Sequence, residues 1–219
     1  MNKHFSVTDR LVAILVIVFV VLFPHFGLVP IPFGYTIPIL IVIWLTLKRT
    51  KENFDSVGFS FKKFELKSVW IGAVSAILLF LSLNYVLFPL IKKVIFLPDA
   101  NLESFKFIRH HFLNYLFILI MGWAVGGIYE ELVFHGFIFT RLEKMTNIKY
   151  MTQISFIITN VVFGLYHVQL GPQGILNAFF CGCAYQALMM RFNRNIWYAI
   201  FFHAFFDTIA LSFIYLGYW

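Results

Sequence analysis

Seven apolar stretches dominate this chain, and each is long enough, or nearly so, to cross a lipid bilayer. Apolar residues make up 61% of the sequence and charged residues only 12%, about half the share that a soluble domain carries. The sequence therefore predicts an all-α, polytopic transmembrane helix bundle with seven or eight spans. We place the stretches at residues 11–29, 31–47, 69–91, 112–140, 153–170, 173–190 and 196–218.

The basic residues predict how this bundle lies in the membrane. If the N-terminus is cytoplasmic and the spans alternate, 13 of the 17 Lys and Arg residues fall on the cytoplasmic side and 4 on the other. This asymmetry follows the positive-inside rule. It also accounts for the net charge of +7 without nucleic acid as a partner. The compact size and the absence of a eukaryotic targeting motif favour a multi-pass protein of a bacterial plasma membrane.

The chain divides into two parts of one integrated membrane domain. Residues 1–110 hold the N-terminal transmembrane helices and an amphipathic cytoplasmic loop. Residues 111–219 hold a four-helix core that carries the polar residues of interest. Within the loop, residues 48–67, Phe59, Phe61 and Phe64 interleave with lysines, a pattern typical of a segment at the surface of an anionic bilayer.

Three of the ten acidic residues lie inside predicted spans, namely Glu130, Glu131 and Asp207. An acidic side chain at the centre of a spanning helix costs about 2.5–3.5 kcal/mol on insertion scales. Three of them require partners or a water-filled cavity. Intramembrane acids are therefore candidates for a functional site.

Histidines accompany these acids at helical spacing. His135 follows Glu131 by four residues, and Asp207 follows His203 by four, so each pair shares a helix face. His167 lies one turn after Phe163 in another span. Neighbours such as Glu130 and Glu131 lie about 100° apart around a helix, so only one of them can point into a shared cavity.

Carboxylates beside imidazoles suit hydrolysis, because a glutamate in an apolar site can take a proton from water. Histidines can orient that water, stabilise an oxyanion or bind a metal. A Zn²⁺ ion on His167, His203 and Asp207 would have an open fourth position. The same residues could instead relay protons in a proton-coupled transporter, or form a structural network.

Three short motifs then resemble one known family, the CAAX protease and bacteriocin-processing (CPBP, or Abi) intramembrane endopeptidases. The family pattern is Glu-Glu-x-x-x-Arg, then Phe-x-x-x-His, then His-x-x-x-Asn or Asp. In this chain the motifs lie in successive spans, within about residues 110–215. They are Glu130-Glu131-x-x-x-His135, Phe163-x-x-x-His167 and His203-x-x-x-Asp207.

The resemblance implies a glutamic-type or metallo-endopeptidase that cleaves a membrane-associated peptide or a prenylated or lipid-anchored protein. It assigns Glu130 as the general base and ranks Glu131 second in importance. It also implies that His167 and His203 assist catalysis and that Asp207 orients or ligates. Phe163 and His135 support the site. His135 stands where the family usually has arginine, which keeps open a non-catalytic membrane scaffold or bacteriocin-immunity protein.

Straight spans predict one geometric difficulty for a shared site. They place Glu130 and His203 toward the cytoplasm and His167 near the outer end of its span. At 1.5 Å per residue, we expect an offset of roughly 10–15 Å in depth. Tilt, or a kink at Gly126 and Gly127, would have to close it.

Overall fold

The computed structural model describes residues 5–219, and helices with no strand among them make up the fold of this part of the chain. The predicted all-α class is therefore confirmed. Lys3, one of the basic residues counted at the N-terminus, lies outside the described residues. The α-helices are α1 Val7–Leu22, α2 Thr36–Arg49, α3 Leu66–Ser82, α4 Phe88–Val94, α5 Phe112–Met121, α6 Phe139–Glu143, α7 Met151–Tyr166, α8 Gly171–Arg191 and α9 Trp197–Tyr215.

Two long helices continue through π-helical segments. Leu83–Leu87 joins α3 to α4, and Gly122–Ile138 joins α5 to α6. The second segment is 17 residues long and carries the first sequence motif. π-Helical segments are usually single turns and frequently lie at functional sites.

Several helices are long and apolar enough to cross a bilayer, so the chain is a multi-pass membrane protein. Within residues 5–219, four helices meet this criterion: Val7–Phe26, Leu66–Val94, Phe112–Glu143 and Trp197–Tyr215. The number is five if α7 and α8, which are bent by 57° at the break between them, are counted together as one broken span. The predicted count of seven or eight spans is not confirmed, since α2 has only 14 residues.

Helices α7 and α8 fold back against each other. The Asn160 amide donates to the Gln186 side-chain oxygen at 2.6 Å, although the two residues are 26 positions apart. A β-carbon added at Gly164 would lie 3.1 Å from Cβ of Phe179. The turn between the helices contains Gly171, whose φ of +74° suits glycine. His167, the last residue of the second motif, therefore lies at the start of this turn.

Helix α9 lies at the centre of the bundle and packs against α3, α8 and the π-helical segment. Gly72 in α3 permits the close approach, because a β-carbon there would lie 2.7 Å from the backbone nitrogen of Phe202. Large apolar side chains on the outside of α1 and α3 are exposed, among them Leu15 and Trp70. Such a surface suits contact with lipid.

The loop of residues 48–67 covers the beginning of α9. The rings of Phe59, Phe61 and Phe64 surround Trp197, with centroid distances of 5.4, 5.7 and 5.4 Å. The Trp197 indole also donates to the Ser60 carbonyl at 2.9 Å. The aromatic residues expected to contact lipid thus also pack on protein, although Phe61 is largely exposed. The loop therefore covers the N-terminal end of α9.

A buried ion pair joins this loop to the long helix that ends in α6. Arg141 is fully buried, and its Nη1 lies 2.6 Å from the Glu52 carboxylate, which also pairs with Lys144. Burial alone would raise the pKa of Glu52. The hydrogen bonds from Lys144 and Arg141 outweigh that effect and hold the pKa below its usual value. Glu52 therefore remains charged at neutral pH.

Candidate active site

Glu131 lies at the centre of the polar cluster and is completely buried. Its Oε2 lies 2.6 Å from Nδ1 of His135, and its Oε1 lies 2.8 Å from Nδ1 of His203. Both carboxylate oxygens are thus engaged by imidazoles, one from the same helix and one from α9. Glu131 does not line the adjacent cavity, so its part in the cluster is to hold two histidines.

His135 uses both of its ring nitrogens. Nε2 lies 3.2 Å from Oδ1 of Asn160, whose amide nitrogen donates to the Phe156 carbonyl at 2.8 Å and to Gln186. Those two acceptors fix the amide orientation, so Oδ1 faces His135 and can only accept. Acceptor oxygens of Glu131 and Asn160 thus stand at both ring nitrogens of His135, at the position where the family motif usually has arginine.

Glu130 is buried by the protein but faces the cavity, unlike its neighbour. Its Oε2 lies 3.7 Å from Nε2 of His167, beyond direct hydrogen-bond distance. Nδ1 of His167 donates to the Phe163 carbonyl at 2.8 Å, which fixes the ring. In its neutral form His167 therefore turns an acceptor, Nε2, toward the carboxylate.

Asp207 completes the cluster from one turn further along α9. Its Oδ2 lies 3.6 Å from Nε2 of His203. Gly126 makes room for the carboxylate, because a β-carbon at that position would lie 2.5 Å from Oδ2. Gly126 is therefore needed because the Asp207 carboxylate approaches its backbone closely, whereas the sequence suggested that this glycine allows a kink.

Two aromatic rings hold the imidazoles in place. The Phe163 ring is tilted at 54° to the His135 ring, at a centroid distance of 5.4 Å. It lies edge-to-face with the rings of His167 and His203, at 4.8 and 6.0 Å. Tyr185 of α8 stacks on His203 at 4.7 Å with an interplanar angle of 23°. The supporting role expected of Phe163 therefore has a geometric basis in these contacts.

A cavity of about 910 Å³ extends from this cluster to the surface. Glu130, His167, His203 and Asp207 contribute to its lining. Glu131 and His135 lie behind that lining. In the first motif, Glu130 thus faces the cavity and Glu131 points into the protein interior, as the roughly 100° spacing of adjacent helical residues predicts.

The expected depth offset of 10–15 Å is wrong, because Glu130 and His167 face each other at 3.7 Å. The connection between Glu143 and Met151 gives the reason. Glu130 precedes it by 13 residues and His167 follows it by 16, so both lie at similar depth. A π-helical turn also holds more residues than an α-helical turn, which shortens the helix that carries Glu130.

The residues suggested for zinc are not arranged as a metal site. Among residues 5–219, no three His, Cys, Asp or Glu side chains are grouped so that they could hold a metal ion. His203 and Asp207 are neighbours, but His167 faces Glu130. A zinc site on these three residues stays a prediction.

Sequence reasoning missed three side chains that complete the cluster, namely Asn160, Tyr185 and Gln186. Asn160 and Gln186 are fully buried polar residues inside apolar stretches, the same signal that identified the acids. Tyr185 gives no such signal, since a tyrosine in an apolar helix is ordinary. Its stacking on His203 depends on how α8 packs against α9.

Comparison with known proteins supports the sequence resemblance over the part of the chain that holds this cluster. Residues 112–209 match the family model described as Type II CAAX prenyl endopeptidase Rce1-like. No curated protein and no solved structure matches the chain. The matched region contains all three motifs, helices α5 to α8 and the part of α9 up to residue 209. Over residues 112–209 the chain is therefore similar to the Rce1-like CAAX prenyl endopeptidases, a family of proteases.

Proposed function

We propose that this protein is an intramembrane endopeptidase that hydrolyses a peptide bond with water activated by Glu130. The substrate is a membrane-associated peptide, or a protein held at the membrane by a prenyl group or another lipid. The observation that carries this proposal is the division of labour between adjacent glutamates. Each carboxylate oxygen of Glu131 contacts one imidazole, whereas the Glu130 carboxylate faces a cavity beside His167 and has no hydrogen bond to any residue of 5–219.

The gap between Glu130 and His167 suits a water molecule. Two acceptors 3.7 Å apart, one a carboxylate and the other the neutral Nε2, can each take one proton of the same water. That arrangement leaves a lone pair of the oxygen free to attack. A general base positioned in this way typically raises the rate by roughly 10²–10⁴-fold.

His203 is the candidate donor for the substrate carbonyl oxygen. Its Nδ1 donates to Glu131, so only the protonated ring carries a second proton, on Nε2, that faces Asp207 and the cavity. A donor fixed before the reaction stabilises the oxyanion at little reorganisation cost. Glu131 and Tyr185 position the ring, and Asp207 supports the protonated form.

The proposed reaction then balances as follows. Glu130 takes a proton from water while the water oxygen bonds to the carbonyl carbon, and negative charge develops on the carbonyl oxygen near His203. The tetrahedral intermediate breaks its carbon–nitrogen bond as Glu130 returns the proton to the leaving amine. The products are a new carboxylate and a new amine.

The test is peptide cleavage by the purified protein in liposomes. We would offer a farnesylated peptide ending in a CAAX sequence, a stearoylated peptide and the same sequences without lipid. Mass spectrometry in H₂¹⁸O identifies the cleaved bond by label in the new carboxylate. Cleavage of a lipidated peptide is expected, and no cleavage of any peptide would contradict the proposal. Repeating the assay with a chelator tests the zinc prediction.

A further inference from the structure

The two ends of the helix bundle differ strongly in charge. We call one the basic end; contacts between its segments include Arg49 with Asp9 at 3.3 Å and Arg194 with Glu143 at 2.5 Å. The segments of the basic end are residues 5–10, 48–67, 141–150 and 191–197. Twelve of the described Lys and Arg residues lie at this end.

We call the opposite end the mouth end. The Asn101 backbone nitrogen donates to the Leu170 carbonyl at 2.9 Å, and the His110 nitrogen donates to the Tyr215 carbonyl at 3.0 Å, so its loops also meet. The segments of the mouth end are residues 23–35, 92–111, 167–174 and 216–219. Only four Lys and Arg residues lie here, and the structure pairs Lys92 and Lys106 with acids.

The cavity of the active site reaches the surface at the mouth end. Exposed residues from separate loops line it, among them Asn101, Lys106 and Gln169. None of the described residues of the basic end contributes to its lining. The route from solvent to Glu130 therefore starts at the end that is poor in basic residues.

Lys and Arg near the ends of spanning helices are retained on the cytoplasmic side, and anionic lipids there attract them further. The basic end is consequently cytoplasmic and the mouth end is extracytoplasmic. We propose that the active site is entered from the extracytoplasmic surface and that its substrate is a membrane-anchored polypeptide already exported to that side. This inference rests on the proposed function and narrows its substrate class.

A cytoplasmic prenylated tail is then a poor substrate in intact membranes. To reach Glu130 through the cavity, such a tail would have to cross a hydrocarbon layer about 30 Å thick. A lipid-anchored or membrane-spanning polypeptide on the outer side meets the mouth directly. The lipid-facing helices allow its anchor to remain in the bilayer while the peptide enters.

Cysteine labelling tests the sidedness without any need for turnover. In a Cys181→Ala, Cys183→Ala background, we would place single cysteines at Gln169→Cys in the mouth end and at Lys62→Cys in the basic end. An impermeant maleimide should label Gln169→Cys in intact cells, and Lys62→Cys only after permeabilisation. The reverse pattern would overturn the proposal.

Vesicle sidedness tests the substrate. A pool of stearoylated and farnesylated quenched-fluorescence peptides is added outside right-side-out or inside-out vesicles that contain the wild-type protein, with Glu130→Gln vesicles as the control. Cleavage is expected in right-side-out vesicles only, and in both preparations after detergent is added. Cleavage confined to inside-out vesicles would overturn the proposal. Cleavage in neither preparation, even in detergent, would refute the proposed function, and the labelling pattern would still uphold or overturn the sidedness.

Discussion

Replacing Glu131 with glutamine should destabilise the protein, whereas the same change at Glu130 should not. Glutamine keeps the shape of glutamate but has one acceptor oxygen and a donor nitrogen. Only one of the two imidazoles, His135 or His203, can then keep its hydrogen bond. The other then faces an amide N–H₂, which cannot accept a hydrogen bond.

The magnitude follows from burial. Glu131 and His135 have no exposed side-chain surface. A hydrogen bond to a charged group contributes about 1.5–3 kcal/mol, and a buried donor left without a partner costs about 1–3 kcal/mol. Breaking a buried ion pair by removing one member costs about 3–5 kcal/mol. We therefore expect Glu131→Gln to lower the free energy of unfolding by about 3–5 kcal/mol.

Denaturant unfolding in detergent micelles measures this difference, with Glu130→Gln as the matched control. Within residues 5–219, the Glu130 carboxylate has one charged neighbour within 4 Å, His167 at 3.7 Å, and no hydrogen bond. Its substitution therefore removes a cavity charge without breaking a hydrogen bond in this part of the chain. The control should unfold at the wild-type denaturant concentration or above it. Equal stability of the two variants would refute the argument that Glu131 holds the cluster together.

Three further outcomes are expected. Gly126→Ala should lower turnover in a folded protein, because the new β-carbon would lie 2.5 Å from the Asp207 carboxylate; Gly122→Ala, with 3.5 Å to the same oxygen, is the control. His135→Arg should retain activity, since arginine can donate to the acceptor oxygens of Glu131 and Asn160, and His135→Leu should lose it; equal loss in both would contradict the need for donors at this position. Glu52→Gln should lower the free energy of unfolding by about 3–5 kcal/mol by leaving a buried arginine unpaired, measured as above at pH 7. The pKa of Glu52 is lowered in the folded state, so this stabilisation is present above the unfolded-state pKa of Glu52 and disappears as the pH falls through the folded-state pKa. If the wild type lost no stability on acidification through that range, the proposed role of the Glu52 ion pair would be contradicted.

The polar residues of the site could be predicted from the sequence because an apolar helix makes each of them conspicuous. Insertion into the bilayer is costly for each of the three acids, Glu130, Glu131 and Asp207. Helical spacing pairs two of them with His135 and His203. That logic required a shared site but could not say which glutamate faces the cavity. The answer depends on helix rotation, which is set by packing against α9.

Depth and connectivity were harder to predict. Hydropathy marks the apolar stretches but does not reveal that Gly122–Ile138 is π-helical or that loop 48–67 covers the start of α9. The π-helical segment shortens the helix that carries Glu130 and helps to bring this residue level with His167. Counting from assumed membrane boundaries therefore gave an offset that counting from the Glu143–Met151 connection removes.

The rate of peptide cleavage by Glu130→Gln tests the central claim most directly. The variant and the wild type are reconstituted in liposomes at equal amounts, after their unfolding curves have been matched, with a lipidated peptide that the wild type cleaves. Loss of the general base should lower turnover by about 10²–10⁴-fold, because glutamine cannot accept the proton of the attacking water. Cleavage at the wild-type rate would contradict the account, since another group would then activate the water.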